Sequence, residues 1–209
     1  MSKCNELLWI FTQLPDDYIV LDTETTGLPD ENGPPDIVTI GITVVRSREI
    51  AESVEFKTRP QKHISEEAQR IHGITNEQAA EFESFDSQWN QIAEYLKDQL
   101  IVIHNASFDW PILLDHVARY DLTMPPILGV FCSQKAATPW AQAMNLPCSH
   151  RGPSLDTLTQ ALGVKDLRAK GHGIHAAGID SQQTAYVDEV LRRYGNRYEV
   201  VEGIGDGVA

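Results

Sequence analysis

Two carboxylates set two residues apart suggest the chemistry of this chain: Asp22 and Glu24, in the run Asp22-Thr23-Glu24-Thr25-Thr26-Gly27. They follow the apolar segment Tyr18 to Leu21, which reads as a buried strand. Side chains alternate faces along a strand, so both carboxylates point the same way. At about 3.3 Å of rise per residue their Cα atoms stand roughly 6–7 Å apart. That spacing suits one cation, or a pair of ions about 3.5–4 Å apart as in two-metal phosphoryl transfer. Taken alone, the pair also fits a solvated strand end.

Three further residues extend the set. Asp109 closes the junction between the apolar strand Leu100 to Ile103 and the helix after it. An aspartate there would also serve simply as a favourable charge at a helix N-terminus. In α/β sheets, however, ligands gather at the carboxyl ends of strands. If the two strands are parallel neighbours, Asp22, Glu24 and Asp109 converge, an arrangement unfavourable without cations. His175 and Asp180 lie five apart, where a glycine-containing loop meets the last helix. Asp180 completes the carboxylate set. His175, with an ordinary pKa of about 6.5, is suited to taking a proton from water at neutral pH. Gly27 permits a sharp turn and close approach of a ligand to the backbone, and Thr25 and Thr26 offer hydroxyl and N–H groups to a terminal nucleotide.

The elements that must position these residues are legible from periodicity and punctuation. Residues 29–36, rich in Pro and Gly, form a loop. Ile37 to Val45 is β-branched and reads as a central strand, with Ile50 to Lys57 as its hairpin partner. Phe85, Trp89, Ile92 and Leu96 have helical spacing behind Ser84. A helix over Pro111 to Tyr120 is expected, with Pro111 in its first turn. A strand over 127–131 and helices over 134–144, 155–162 and 180–194 complete the order. A meander followed by alternating helix and strand implies an α/β layered domain with a mixed sheet. Residues 1–17 read as a helical extension packing through Leu7 to Phe11, 18–195 as the domain, and 196–209 as a flexible tail.

In combination these residues resemble the DEDDh exonucleases, the group that includes the DNA polymerase III proofreading subunit and ribonuclease T. The first motif stands as Asp22-Thr-Glu24-Thr-Thr-Gly27, the second as His104-Asn105-Ala-Ser-Phe108-Asp109, the third as His175-Ala-Ala-Gly-Ile-Asp180. The stretch Ile71-His72-Gly73-Ile74-Thr75 is similar to one that recurs between the first two motifs, and a histidine five before the last aspartate indicates the histidine subgroup. The resemblance implies a ribonuclease H-like fold with a mixed five-stranded sheet. It implies that Asp22, Glu24, Asp109 and Asp180 hold two Mg²⁺ or Mn²⁺ ions, with Asp22 bridging them, and that His175 is the general base. Thr25, Thr26, Leu28, Asn105 and Phe108 would line the terminal-nucleotide site, although core packing explains Leu28 and Phe108 as well. The implied activity is 3′→5′ removal of nucleoside 5′-monophosphates from single-stranded DNA or frayed 3′ ends. An exoribonuclease is the nearest alternative, and a non-catalytic binding subunit a more distant one. The loops 29–36 and 139–153 look long for a minimal member and are expected to border the cleft. No sliding-clamp motif stands near the C-terminus, which disfavours a polymerase-subunit role.

Bulk properties bound the reading. The 209 residues suffice for one domain with a core. The net charge of −13 counts against a processive enzyme gripping long nucleic acid alone, because phosphate contacts supply much of such affinity. Metal ligands among the acids, and a substrate held only at its end, soften the conflict. Lys165, Arg168, Lys170 and His172 cluster before His175, and Arg168 and Lys170 are candidate contacts to phosphates behind the scissile bond. A solvated loop is the plainer alternative. Cys4, Cys132 and Cys148 form no disulfide framework, and Cys148 with His150 lacks the second ligand pair of a zinc site. No bilayer-length apolar run or signal-peptide pattern is present, so a cytoplasmic location is expected. A kinase-like phosphate loop is absent. A protein partner or homodimer is not readable from these residues.

Overall fold

A strand buried on both faces tends to be apolar, and the first half of the first strand, β1 (Tyr18–Thr25), follows that rule, whereas its second half, Asp22 to Thr25, is polar and yet largely buried. The computed structural model describes the backbone of residues 6–31, 33–168 and 175–202, with side chains over 7–31, 33–168 and 175–195. β1 lies at the centre of a five-stranded sheet with order β3-β2-β1-β4-β5, where β2 is Ile37–Arg46, β3 Glu49–Lys57, β4 Leu100–Ile103 and β5 Gly129–Cys132. β1, β2 and β3 form an antiparallel meander. β4 pairs parallel to β1, with Val20 opposite Val102, and β5 pairs parallel to β4. The condition that β1 and β4 be parallel neighbours is therefore met, and their carboxyl ends lie on the same side of the sheet.

Helices cover both faces. A 3₁₀ turn (Glu6–Leu8) leads into α1 (Trp9–Thr12). α2 (Glu66–His72), α3 (Asn76–Ala80) and α4 (Phe85–Leu96) follow the meander; α5 (Ala106–Arg119) follows β4; α6 (Ser133–Ala143), α7 (Leu155–Leu162) and α8 (Ala177–Glu202) follow β5. Alternation along the strands divides the core in two. Val20 and Val102 pack with Leu8, Phe11, Trp140, Leu158 and Leu191 on one face. Ile19, Leu21, Ile101 and Ile103 pack with Phe85, Trp89 and Leu113 on the other. Among the described residues no helix is long and apolar enough to cross a membrane.

One glycine sets the geometry that matters for the site. Gly41 on β2 is paired with Asp22 on β1. A Cβ at Gly41 would lie 2.0 Å from the Ala177 carbonyl oxygen, so the start of α8 rests directly on the sheet beside Asp22. Three residues further on, Asp180 is brought to the same place.

Several expectations need correction. β1 continues through Thr25, so Asp22 and Glu24 lie within the strand, not beyond it. α5 begins at Ala106, which puts Pro111 in its second turn, where its missing N–H costs one bond to Ser107. α8 runs from Ala177 to Glu202, beyond the 180–194 expected and through residues assigned to the tail. Gly195 does not stop it: a Cβ there would meet the Leu8 carbonyl oxygen at 2.9 Å, so this glycine is a close contact between α8 and the N-terminal turn. α2 and α3 were not foreseen. Their signals are the Ser65 cap before Glu66-Glu67 and the Thr75–Gln78 capping box. The expectation for 203–209 lies outside the described residues.

Candidate active site

Strand alternation sorts the first motif. Asp22 and Glu24 share a face with Val20 and look toward α8, whereas Thr23 looks toward α5. From α5, Asp109 reaches around the strand end and accepts hydrogen bonds from the Thr23 backbone N–H (3.1 Å) and hydroxyl (2.6 Å). A register shift between Glu24 and Thr25 breaks the regular pairing with β2 beside the cluster. Bulges of this kind re-aim side chains next to sites.

From α8, Asp180 closes the set. It is buried, and its two oxygens are answered separately: Oδ1 accepts from Arg168 Nε at 2.5 Å, and Oδ2 lies 3.1 Å from His175 Nδ1. Arg168 also pairs with Asp156 at the first turn of α7. Glu24, His175 and Asp180 each bring a ligand atom within 4.8 Å of the others. The backbone N–H of His175 donates to the Ile71 carbonyl at 2.9 Å, which ties the third motif to the Ile71–Thr75 stretch.

The electrostatics follow from crowding. Burial, then the charges of Asp109, Asp180 and Glu24, push Asp22 well above the carboxylate range. Burial and Asp180 push Glu24 up to about 8, against a smaller opposing pull from His175. Burial raises Asp109 to about 6 despite its bonds from Thr23. His175 is raised, chiefly by its hydrogen bond to Asp180. Four hard oxygen donors crowded into one place, with Asp22 and Glu24 raised in part by their neighbours' charge, form a set that a small divalent cation completes, since its charge favours ionised carboxylates. The donor chemistry of Asp22, Glu24, Asp109 and Asp180 thus fits a hard divalent cation, and lacks the thiolates of a structural zinc site. Cys132 and Cys148 are free thiols.

Two clefts meet at the cluster and share Thr23, Glu24 and Phe108. The first, about 550 Å³, holds Asp22, Asp109, His175, Asp180 and Arg168 and extends to the 147–157 segment. The second, about 880 Å³, is walled by Thr25, Thr26, Gly27, Leu28, Ser65, Ile71 and His72. Thr25 donates to the Gly27 carbonyl (2.8 Å); the Thr26 hydroxyl accepts from the Asp36 N–H (3.0 Å), fastening the far end of the 29–36 loop. Leu28 is 72% exposed at the rim, so core packing does not explain it. Phe108 stands between the clefts with one side packed on the core. Asn105 takes a left-handed conformation (φ 71°) that starts α5. The 29–36 loop borders the second cleft; of the expected loop 139–153, residues 139–143 belong to α6 and the part around 147–152 borders the first. Arg168 faces the first cleft but is already committed to two carboxylates; Lys170 lies outside the described residues.

Residues that sequence reasoning left without a role also line the clefts. His72 is buried in the second and accepts from the Ile74 N–H through Nδ1. His104 is held near 4, chiefly by burial, and is therefore neutral. Its Nε2 donates to the Pro153 carbonyl (3.2 Å), which fixes the tautomer and leaves Nδ1 to accept from the Ser133 hydroxyl (3.2 Å). Position alone in the second motif was the available signal.

A mixed five-stranded sheet whose first strand carries two carboxylates, joined by two more from neighbouring helices and by a histidine, has the make-up of a metal-dependent hydrolase. The comparisons agree. The RNase_T family profile, described as an exonuclease, matches residues 19–187, and the chain belongs to this exonuclease family. Over 170 residues it is 29% identical to the PolC-type DNA polymerase III of Thermotoga maritima, covering 81% of this chain and 11% of that protein. Over 96 residues it is 38% identical to the DNA polymerase III epsilon subunit of Buchnera aphidicola, covering 44% of this chain and 41% of that one. The chain thus spans about a tenth of the PolC-type polymerase and two-fifths of the epsilon subunit. Its fold is shared with exonuclease X bound to 5′ overhanging duplex DNA (TM-score 0.59, 24% identity, 86% of this chain and 92% of that one). It is shared also with the nuclease domain of 3′hExo, a DEDDh family member bound to rAMP (TM-score 0.67, 16% identity, 88% and 94%).

Proposed function

We propose that this exonuclease removes nucleotides one at a time from the 3′ end of single-stranded DNA or a frayed duplex, releasing nucleoside 5′-monophosphates. The observation that carries the reading is the convergence of Asp22, Glu24, Asp109, Asp180 and His175 where two clefts of unlike character meet. The second cleft, with Leu28 at its rim and Thr25 and Thr26 in its wall, receives the terminal nucleotide. The first takes the strand behind it. The scissile phosphate then lies over the carboxylates.

Asp22, Glu24, Asp109 and Asp180 would hold two Mg²⁺ or Mn²⁺ ions, which when bound stabilise the charge that develops on the phosphate and the departing 3′ oxygen. His175 supplies the base. With Nδ1 turned to Asp180, its Nε2 is left to take the proton from water as the new phosphorus–oxygen bond forms and the bond to the 3′ oxygen breaks. Asp180 orients the imidazole and stabilises the cation that results. Phe108 and Leu28 offer apolar faces to a base without selecting its identity.

DNA is favoured over RNA because the sequence relatives are parts of DNA polymerases. The rAMP-bound structural neighbour supports RNA as the second reading. A cytoplasmic location suits either substrate. The test uses matched single-stranded DNA and RNA labelled at the 5′ end, incubated with Mg²⁺, Mn²⁺ or EDTA. A metal-dependent ladder that shortens from the 3′ end supports the proposal, and the faster strand sets the sugar preference. Cleavage at internal positions, or shortening that survives EDTA, contradicts it.

A further inference from the structure

We propose that Arg151, at the tip of the 145–153 loop, grips a backbone phosphate of the strand upstream of the scissile bond. This rests on the exonuclease reading above and adds a substrate contact to it.

Arg151 lines the same cleft as Asp22, Asp109, His175 and Asp180. Position in a cleft is not enough by itself, so what holds the loop matters. Ser149 and Gly152 exchange two backbone hydrogen bonds, at 2.9 and 3.1 Å, which close a tight turn around His150 and Arg151. The Ser149 hydroxyl accepts from the Arg151 N–H (3.1 Å) and donates to the Gly152 carbonyl (3.1 Å). Gly152 presses on α6 so closely that a Cβ would lie 2.4 Å from the Thr138 hydroxyl oxygen. The next carbonyl, that of Pro153, accepts from both His104 Nε2 (3.2 Å) and Gln134 Nε2 (3.0 Å). His104 directly follows β4 and stands five residues before Asp109. The loop is therefore fastened to the junction between β4 and α5, the helix that carries Asp109, and its backbone is held in a fixed place relative to the reacting centre.

Charge completes the argument. The chain carries a net charge of −13 and must still hold a polyanion next to four acidic side chains. Two described arginines line this cleft. Arg168 is spent on Asp180 and Asp156. Arg151 makes no ion pair with a described residue, and it is exposed. A guanidinium suits a phosphate because its planar fork matches the oxyanion, and with the turn already fixed only the side chain is left to be ordered on binding.

The test compares wild type, Arg151→Ala, Arg151→Lys and Arg151→Glu on two substrates: a single-stranded 16-mer and the p-nitrophenyl ester of thymidine 5′-monophosphate, which has no upstream strand. On the 16-mer at low salt, Arg151→Ala is expected to raise KM about fivefold, the scale of one partly exposed ion pair, with the loss falling on KM and not on kcat. The dependence of log KM on log salt should become shallower by about 0.7, the release expected for one phosphate on a single strand. Arg151→Glu should be worse than alanine, and Arg151→Lys, which keeps the charge and loses the fork, should restore only part of the binding. The ratio of 16-mer to ester efficiency should fall in step. Equal KM and equal salt slopes for wild type and Arg151→Ala overturn the proposal. So does an equal loss on both substrates, because it places the effect at the reacting centre. A wild-type enzyme that hydrolyses neither substrate overturns the exonuclease reading first, and this one with it.

Discussion

Two buried aspartates on α8, about 12 Å of helix apart, meet opposite ends of β1 and have opposite environments. Asp180 lies by Asp22 in the carboxyl-terminal half of the strand, at an open cleft, with Arg168 and His175 on its two oxygens. Asp188 lies by Tyr18 at the strand's start, and neither of its oxygens meets a hydrogen-bond partner among the described residues. Burial alone pushes Asp188 far above the carboxylate range. A carboxyl in that condition is a core group with a cost, and burial favours its neutral form. Burial therefore does not mark a site. Convergent partners and access to a cleft do.

The comparison is sharpened most by the two asparagine variants. Asp180→Asn should lower kcat/KM by at least about a thousandfold, the scale of losing one electrostatic stabiliser at a reacting centre. Asp188→Asn should leave kcat/KM within about twofold, as expected for a change away from the chemistry. Comparable losses in the two would break the distinction. His175→Ala should cost about a hundredfold in kcat. Because Asp180 raises His175, the wild-type rate should fall as pH drops through a value above about 6.5. That acid limb should be missing from the variant's profile.

Arg168→Gln is expected to lower kcat/KM about tenfold, as for a residue that orients a ligand. Its melting temperature should fall further in EDTA than in Mg²⁺, because a bound cation also satisfies Asp180. A smaller effect comes from pH. The folded pKa of Glu24, about 8, lies above its ordinary value of 4.5. The protonated form thus favours the folded state, whole below 4.5 and lost as pH rises through about 8. Melting in EDTA should drop by a few degrees between about pH 5 and 8.5, and Mg²⁺ should recover it. Asp188 has the same sign but no cation to answer it, so Asp188→Asn should flatten only the part of the slope that Mg²⁺ leaves. A melting temperature that rises across this range in EDTA would contradict the cluster's electrostatics.

How much of this was legible depends on the kind of signal. The apolar runs of β1 and β4 were legible, but their parallel adjacency stood only as a condition that the pairing meets, and the three motifs named residues that the fold gathers at one cleft. The same patterns missed α2 and α3, because both are shorter than the apolar period needs to repeat, although their caps were in the sequence. Gly41 and Gly195 carry no side chain to form a pattern, so the two close contacts that seat α8 were invisible. Arg168 was read as a phosphate contact from its charge. Its pairing with Asp180 and Asp156 depends on the packing of α7 against α8, which local sequence does not encode. Arg151 was passed over because the turn that aims it is fastened from β4 and α6, far away in the chain.

The central claim is that the four carboxylates form one cation-holding centre that cuts a strand from its end. Titration of Mn²⁺ into wild type, Asp22→Asn and Asp188→Asn, with strand shortening scored on the same samples, tests it most directly. The account predicts two bound ions and shortening in wild type and in Asp188→Asn, with tight binding and shortening lost together in Asp22→Asn. Unchanged ion binding and shortening in Asp22→Asn would contradict it.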